Sequence, residues 1–463
     1  MSDYQLIVIG AGPGGYMAAL RAAKLGLRTA VVENRQAGGT CLNRGCVPTK
    51  TLLHSSQIYR EAIGGAQAGI HVEGIRADMA EIFANKRRVS EQLSGGIEGM
   101  FKKAKVELIR GTGAITAPGT VCVTDAEGVE TTYTADNILV ATGSVPARPP
   151  IPGLDLPGVM TSDELLEGCD HLYKSIVIIG GGVIGVEFAT FYCELGCDVT
   201  IIEGMDRLLP TMDRELGQNL VQILKKQGVK VYTGSMVECV EREGDTLTVR
   251  FNTAKGEALA AEGEAVLCAI GRKPYLDGLF PGNLKPEMNG KSIRVDEKYQ
   301  TSIPGVYAIG DVSARIQLAH VASAQGVACV DVLCGLENHV SMNVVPSCIY
   351  SHPEIAVVGI TEAEAKEQGI PVKTGKCVMF GNARTLIAET GRSFMKIVGH
   401  AETGEILGAQ LMCEHSTDMI SQIAEAMVNH MTAEQLLLAM RPHPTFEEAL
   451  TEALEAFEAA RAK

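Results

Sequence analysis

The feature that most restricts the fold of this chain is a unit it carries twice, with Gly10 of the first copy answering to Gly180 of the second. Residues 6–33 read as an apolar strand, the turn Gly10-Ala11-Gly12-Pro13-Gly14-Gly15, an alanine-rich helix through Leu25, then Gly26 and the strand Thr29-Ala30-Val31-Val32 closed by Glu33. Residues 176–203 repeat this with Gly180, Gly182 and Gly185, a helix predicted over 186–195, Gly196, and the strand Val199-Thr200-Ile201-Ile202 closed by Glu203. The G-x-G-x-x-G spacing permits a tight turn, close approach of the backbone to a pyrophosphate, and close packing of helix on strand. The helix N-terminus attracts the phosphates, and the carboxylate takes a pair of ribose hydroxyls. One such fingerprint is a weak signal. Two copies, each between strand and helix and each with Glu at the same offset, predict an α/β fold with two dinucleotide sites.

The stretch Gly38-Gly39-Thr40-Cys41-Leu42-Asn43-Arg44-Gly45-Cys46-Val47-Pro48-Thr49-Lys50 comes after the first copy and is poorly suited to a core element. Residues i and i+5 of a regular helix point about 140° apart at 3.6 residues per turn, so Cys41 and Cys46 can pair only if the helix is distorted. Gly45 and Pro48 are residues that allow or force this. A thiol near a helix start or a cation has a lowered pKa and can act as a nucleophile. The same spacing at Cys329 and Cys334 lacks the Gly and Pro setting, and there two ordinary buried cysteines are the simpler reading.

At 463 residues the chain is long enough for two to four domains. A formal net charge of −14 argues against nucleic acid or an anionic membrane surface as the main partner. No apolar run is long enough to cross a bilayer, the N-terminus lacks a signal-peptide layout, and a cytoplasmic location is expected. Thirteen scattered cysteines suit a reducing compartment better than a disulfide framework. Cys193 and Cys197 lie one helical turn apart without further ligands at metal spacing, so no metal site is expected. Near the C-terminus, Arg441-Pro442-His443-Pro444-Thr445-Phe446-Glu447-Glu448 holds a histidine between two prolines, with a carboxylate five residues on that can bond one ring nitrogen and orient the other as a base.

The string 38–50 closely resembles the active-site disulfide segment of the flavoprotein disulfide reductases, the class I pyridine nucleotide-disulfide oxidoreductases, and the HPT-x-x-E pattern at 443–448 is similar to that family's acid/base dyad. The resemblance runs over nearly the whole chain, and it is nearest to the branch that oxidises protein-bound dihydrolipoamide. It implies FAD at the first fingerprint and NAD at the second, a redox-active Cys41–Cys46 disulfide with Cys41 the exposed interchange sulfur and Cys46 facing the flavin, and His443 with Glu448 acting on the disulfide of the other subunit of a homodimer. It further implies cofactor contacts at Gly39, Thr40, Gly113, Thr142, Gly143, Ser144, Val237, Gly271, Gly310, Asp311 and Ala319. Lys50, which alone reads as a helix surface charge, and Glu187, which alone reads as a helix N-terminal acid, are implied to pair beside the flavin.

Glu203 favours NAD over NADP, since it repels a 2′-phosphate and accepts from a free ribose, and Arg207 is read as a solvated loop charge. The basic cluster of glutathione-type reductases is absent. No cysteine pair follows Cys413 as in mercuric reductases. Two departures from the family pattern are Arg441, where a second His is common, and Gln317, where Met is frequent. A non-catalytic scaffold subunit is the alternative of another class, disfavoured by the intact cysteines and His443. The expected organisation is two Rossmann-like domains, FAD-binding (1–147) and NAD-binding (148–273), a central segment returning to the first (274–342), and a C-terminal α+β dimerisation domain (343–463). The segments 137–143 and 265–271 are expected to be equivalent apolar strands that end on Gly, residues 56–103 to be helical with Ile82, Phe83, Val89 and Leu93 near helical spacing, and the proline-rich stretch 145–152 to be the linker. The partner implied is the lipoyl-bearing protein of a 2-oxoacid dehydrogenase, acetoin dehydrogenase or glycine-cleavage system.

Overall fold

The computed structural model describes residues 2–168, 171–313, 316–337 and 340–463. Strand Tyr4–Ile9 runs through the middle of the first sheet, parallel to Thr29–Glu33 on one side and to Glu130–Val140 on the other. Leu6, Ile7 and Val8 expose no surface, which is why this strand is a continuous apolar run. The 11-residue strand Glu130–Val140 serves two pairings. Residues 130–134 run antiparallel to Thr120–Thr124, and residues 135–140 run parallel to Tyr4–Ile9. From far along the chain Val306–Ala308 returns to lie parallel against its last residues.

The second sheet orders Lys230–Tyr232, Asp198–Ile202, Ser175–Ile179, Ala265–Cys268 and Val159–Thr161, all parallel. An antiparallel meander of Met236–Glu243, Thr246–Asn252 and Ala258–Gly263 leads into Ala265–Cys268. In the first unit Thr112–Ala117 and Thr120–Thr124 lead into Glu130–Val140 in the same way. The duplication therefore extends well beyond the glycines.

Helices Pro13–Lys24 and Val183–Glu194 each begin directly after the second fingerprint glycine, with Gly12 and Gly182 as N-caps. The second helix thus starts three residues before the predicted 186, because the Gly182 carbonyl already accepts from Val186 N–H at 3.0 Å. The segments expected to be strands ending on Gly stop earlier, at Val140 and Cys268. Gly143 and Gly271 lie in the loops beyond, at φ +70° and +118°, which only glycine adopts without strain.

The predicted helical region 56–103 is two helices, Cys46–Gly64 and Met79–Ala104. Of Ile82, Phe83, Val89 and Leu93 only Phe83 is buried, and Leu93 is exposed. The buried stripe is Met79, Phe83, Lys86, Ser90, Ser94, Ile97 and Phe101, which follows helical periodicity but is half polar. The proline-rich stretch expected to be a plain linker begins as a strand, Ser144–Pro146, antiparallel to Arg272–Pro274. The chain's departure to the second unit and its return therefore run side by side.

The C-terminal part is an antiparallel sheet in the order Ser347–Ile349, Ile355–Gly359, Ile406–Met412, Phe394–His400 and Val372–Val378, covered by helices that include Ser416–Val428 and Glu448–Arg461. The last helix lies so close to the sheet that a Cβ on Gly375 would meet the Ala453 carbonyl oxygen at 2.1 Å and the Phe457 amide nitrogen at 2.3 Å. Both are backbone atoms and cannot swing aside. Gly375→Ala is expected to push the helix off the sheet and to lower stability by about 1–3 kcal/mol, read as a lower midpoint in denaturant unfolding.

Candidate active site

Each fingerprint builds the same cradle. Gly10 and Gly180 take φ of +105° and +110°, and their N–H groups donate to Val32 and Ile202 carbonyls at 2.8 Å. A Cβ on Gly15 would lie 1.9 Å from the Gly10 oxygen, and one on Gly185 would lie 2.0 Å from the Gly180 oxygen, so these glycines let the helix close on the turn. Glu33 accepts from Ala11 and Arg35 N–H, both at 2.8 Å. Glu203 does the same with Gly181 at 2.5 Å and Met205 at 2.6 Å. Backbone donors thus anchor both carboxylates next to the glycine turn. Gly39 closes on the first cradle, since its Cβ would come 2.6 Å from Gly12 Cα.

The thiol segment forms two helices, Gly39–Arg44 and Cys46–Gly64, broken at Gly45 with φ −151° and ψ −114°. Pro48 forces no break. It lies in the first turn of the second helix, where an intrahelical amide donor is not required. The break brings the free thiols of Cys41 and Cys46 into a mutual hydrogen bond. That bond lowers the pKa of Cys46 to about 7, with Lys50 adding to the effect against the opposing influence of burial. The same bond and burial raise Cys41. Both sulfurs line the cavity. Cys46, at the start of its helix, is open to the cavity, whereas Cys41 is half-buried. The other described cysteines are also free thiols, and Cys169 lies outside the described residues.

Lys50, one turn beyond Cys46, places its Nζ 2.8 and 2.7 Å from the two carboxylate oxygens of buried Glu187, on the helix of the second fingerprint. The N–H of Tyr350, in the loop just after strand Ser347–Ile349, donates to the same carboxylate at 3.1 Å, and the Lys50 ammonium lies 4.7 Å from the Tyr350 ring centre. Burial works against the charge on Lys50, but Glu187 outweighs it and the pKa is raised. Three parts of the chain meet at this point.

Around the paired crossover strands, Ser144 Oγ donates to Asp311 at 2.5 Å and accepts from Arg272 Nε at 2.8 Å. Arg272 and Arg44 both reach Asp163, at 3.6 and 3.8 Å. Thr142 Oγ1 donates to the Tyr275 carbonyl at 2.7 Å. Arg272, Asp163 and Tyr350 were not singled out from sequence. They sit on a strand, a helix and a loop without a motif, and their partners are far away in the chain.

A continuous cavity of about 1500 Å³ joins both fingerprints and the thiols. Its walls include Gly10, Gly12, Glu33, Gly39, Thr40, Cys41, Cys46, Lys50, Gly113, Thr142, Gly143, Ser144, Gly180, Gly182, Glu187, Glu203, Val237, Gly271, Gly310, Asp311, Gln317 and Ala319. Gly15 and Gly185 pack beneath the turns instead. His443 and Glu448 are elsewhere, on the C-terminal part: His443 Nδ1 lies 2.8 Å from Glu448 Oε1, and the imidazole is exposed. Thr445 N–H holds the other Glu448 oxygen at 3.0 Å, and that bond followed by the His443 contact keeps Glu448 below the usual carboxylate range. Arg441 is tied to Thr451 Oγ1. Arg207 donates to Asp206 and to the Pro210 carbonyl and does not line the cavity. No helix among the described residues is long and apolar enough to cross a membrane.

The family described as pyridine nucleotide-disulphide oxidoreductase matches residues 4–326, and its dimerisation domain matches residues 345–454. The chain is 38% identical to a dihydrolipoyl dehydrogenase of Bacillus subtilis over 98% of its own length and 97% of the relative's. It is 39% identical to dihydrolipoyl dehydrogenase 3 of Pseudomonas putida, with 98% of each covered. Its fold is similar to that of LpdA from Mycobacterium tuberculosis, with a TM-score of 0.89 at 28% identity, covering 97% of this chain and 99% of the other.

The charge arrangement predicts the titration of the reduced thiol pair. Alkylation of Cys46 should be half-maximal near pH 7 and increase above it. Lys50→Met removes a nearby positive charge, so the midpoint is expected to move to higher pH, as read from iodoacetamide rates across pH.

Proposed function

The chain belongs to the pyridine nucleotide-disulphide oxidoreductase family, and we propose that within it the chain oxidises protein-bound dihydrolipoamide to lipoamide and reduces NAD⁺ to NADH, with FAD as its resident cofactor. The observation that carries the reading is the meeting of Cys46, Lys50 and Glu187 on the wall of one cavity that both fingerprints share. The residues fit the two cofactors. A Cβ on Gly10 would meet the Ala141 carbonyl oxygen at 2.4 Å and one on Gly39 the Gly12 Cα at 2.6 Å, so glycine at both positions lets the backbone close into the turn on which a pyrophosphate would rest, and Glu33 stands ready for a ribose. Asp311, held by Ser144, is suited to a ribityl chain, and Glu203, whose neighbour Arg207 is turned to Asp206 and the Pro210 carbonyl, is suited to NAD rather than NADP. When bound, the flavin supplies the relay of an electron pair between thiols and nicotinamide.

The protein's own residues handle the sulfur chemistry. With Cys41 and Cys46 in their disulfide form, a substrate thiolate attacks Cys41 Sγ, a substrate–Cys41 bond forms, and Cys46 departs with the electron pair of the broken S–S bond. The second substrate sulfur then displaces Cys41 and closes the lipoamide ring, which leaves both enzyme sulfurs reduced. A depressed Cys46 pKa makes it the better leaving group. Each attack needs a proton removed, and we assign this to His443, oriented through Nδ1 by Glu448. Because His443 does not line the cavity of its own chain, it would serve the thiols of a second copy, and the enzyme would be a homodimer built on the dimerisation domain that the chain carries.

We assign residues 1–147 to FAD binding, 148–273 to NAD binding, 274–342 to a segment completing the first domain, and 343–463 to the dimer interface. The scatter of cysteines supports a cytoplasmic site of action. The substrate arm is expected to come on a lipoyl-bearing partner protein.

The decisive assay compares dihydrolipoamide with glutathione, and NAD⁺ with NADP⁺, on purified holoenzyme. Dihydrolipoamide-dependent NADH formation is expected, and a preference for glutathione disulfide and NADPH would instead make the chain a glutathione-type reductase. Cys41→Ser should abolish lipoamide turnover yet leave reduction of the flavin by NADH. His443→Gln should slow dithiol oxidation by about 10²–10⁴-fold with the same NADH reaction retained, followed anaerobically by stopped flow.

A further inference from the structure

The wall of the second dinucleotide site is fastened from outside, by the C-terminal sheet. Lys396, on strand Phe394–His400, extends its ammonium to Asp213 at 2.6 Å and to Glu215 at 3.4 Å, and the Lys396 and Asp213 side chains are each only 10% exposed. Lys376, on the neighbouring strand Val372–Val378, also pairs with Glu215. Asp213 is the N-cap of helix Arg214–Lys226, and its other oxygen accepts from Glu215 N–H at 2.9 Å. One carboxylate therefore holds both the helix start and the cation from the other domain.

The loop leading to that cap is part of the site. Pro210 and Thr211 line the cavity, together with Glu203, Gly204 and Met205. Leu209 donates its N–H to the carbonyl of Gly181, inside the second glycine turn, at 2.9 Å. Leu209 is also held at φ +50°, a left-handed conformation that a non-glycine residue keeps only when its surroundings enforce it. Those surroundings are visible. Leu208 and Leu209 are buried, and helix Arg214–Lys226 lies so near that a Cβ on Gly217 would come 2.3 Å from the Leu208 oxygen. The loop 204–212 is thus gripped at one end by the glycine turn and at the other by a helix whose cap is pinned to Lys396.

We propose that Lys396 is a positioning residue for the nicotinamide dinucleotide: through Asp213 it holds the strained loop against the glycine turn, so that affinity for NAD⁺ depends on a contact made by the dimerisation domain. The pair is largely shielded from solvent, so added salt screens it little. The inference rests on the reading that NAD⁺ binds at the second fingerprint.

The test uses flavin-loaded full-length enzyme. Asp213→Asn is the sharpest variant, because asparagine caps a helix as well as aspartate does and only the charge is lost. Lys396→Met removes the other partner. Both are expected to raise the KM for NAD⁺ and the dissociation constant for NADH by about fivefold or more, the lower end of ordinary coupling between sites. Neither should change by more than about twofold the anaerobic reduction of flavin by dihydrolipoamide, which involves no nucleotide. Lys376→Met, which spares the Asp213 contact, should shift the KM by less than about twofold.

Unchanged nucleotide constants in folded, flavin-bearing variants overturn the proposal, and so does an equal loss in the dithiol half-reaction, which marks a general packing role. If Lys396→Met loses its flavin, Asp213→Asn decides alone. A wild-type enzyme with no NAD⁺-dependent turnover would instead defeat the underlying reading of the site.

Discussion

The arrangement around the thiols depends on one ion pair, half-buried Lys50 with buried Glu187. A cation close to Cys46 favours the thiolate, yet an ammonium taken out of water without a partner is strongly disfavoured. Glu187 resolves this with two short contacts, and its own remaining demand is met by Tyr350 N–H. The placement of Glu187 is set by the fingerprint. It stands early on helix Val183–Glu194, the helix whose N-terminus Gly180 and Gly182 open toward the cavity. One helix therefore turns its dipole to the cavity and its carboxylate to the lysine beside the thiols. If that helix moved, both functions would move together.

The two copies of the unit diverge beyond the terminal carboxylate. After Glu33 the chain enters the thiol helices, and Gly39 closes on Gly12. After Glu203 it enters the loop that ends at the Asp213 cap. The backbone cradle is the same, down to matching donors on Glu33 and Glu203, so the difference in chemistry lies in these appended segments. In the first, a distorted helix brings sulfur to the cavity. In the second, a strained loop borders it.

Much of this site was legible in the sequence because its constraints are local. A glycine turn, a helix start and a carboxylate at the end of the next strand lie within some twenty-five residues of each other, and their order alone predicts their geometry. Local reading was weaker where two explanations shared one stretch. Gly45 and Pro48 both looked able to break the helix, and only backbone angles reveal that Gly45 does so. It failed where distant segments meet. Tyr350 meets Glu187 through a backbone N–H, which any residue type but proline could supply, so that contact leaves no signal in the sequence. Helix Met79–Ala104 hid its inner face for another reason. Lys86 and Ser94 are buried because they donate to the carbonyls of Leu166 and Ala37, and a search for apolar periodicity passes over them.

The antiparallel pairing of Ser144–Pro146 with Arg272–Pro274 has a topological meaning. Both connections to the inserted unit cross through one short ladder, so its two ends emerge as neighbours. Such a module can be exchanged as a cassette, with splice points on adjacent strands and without opening the parallel sheet that hosts it. A lineage that needed a different electron acceptor would have this narrow neck to preserve, together with the Glu187 and Asp213 contacts that tie the unit to the rest of the chain.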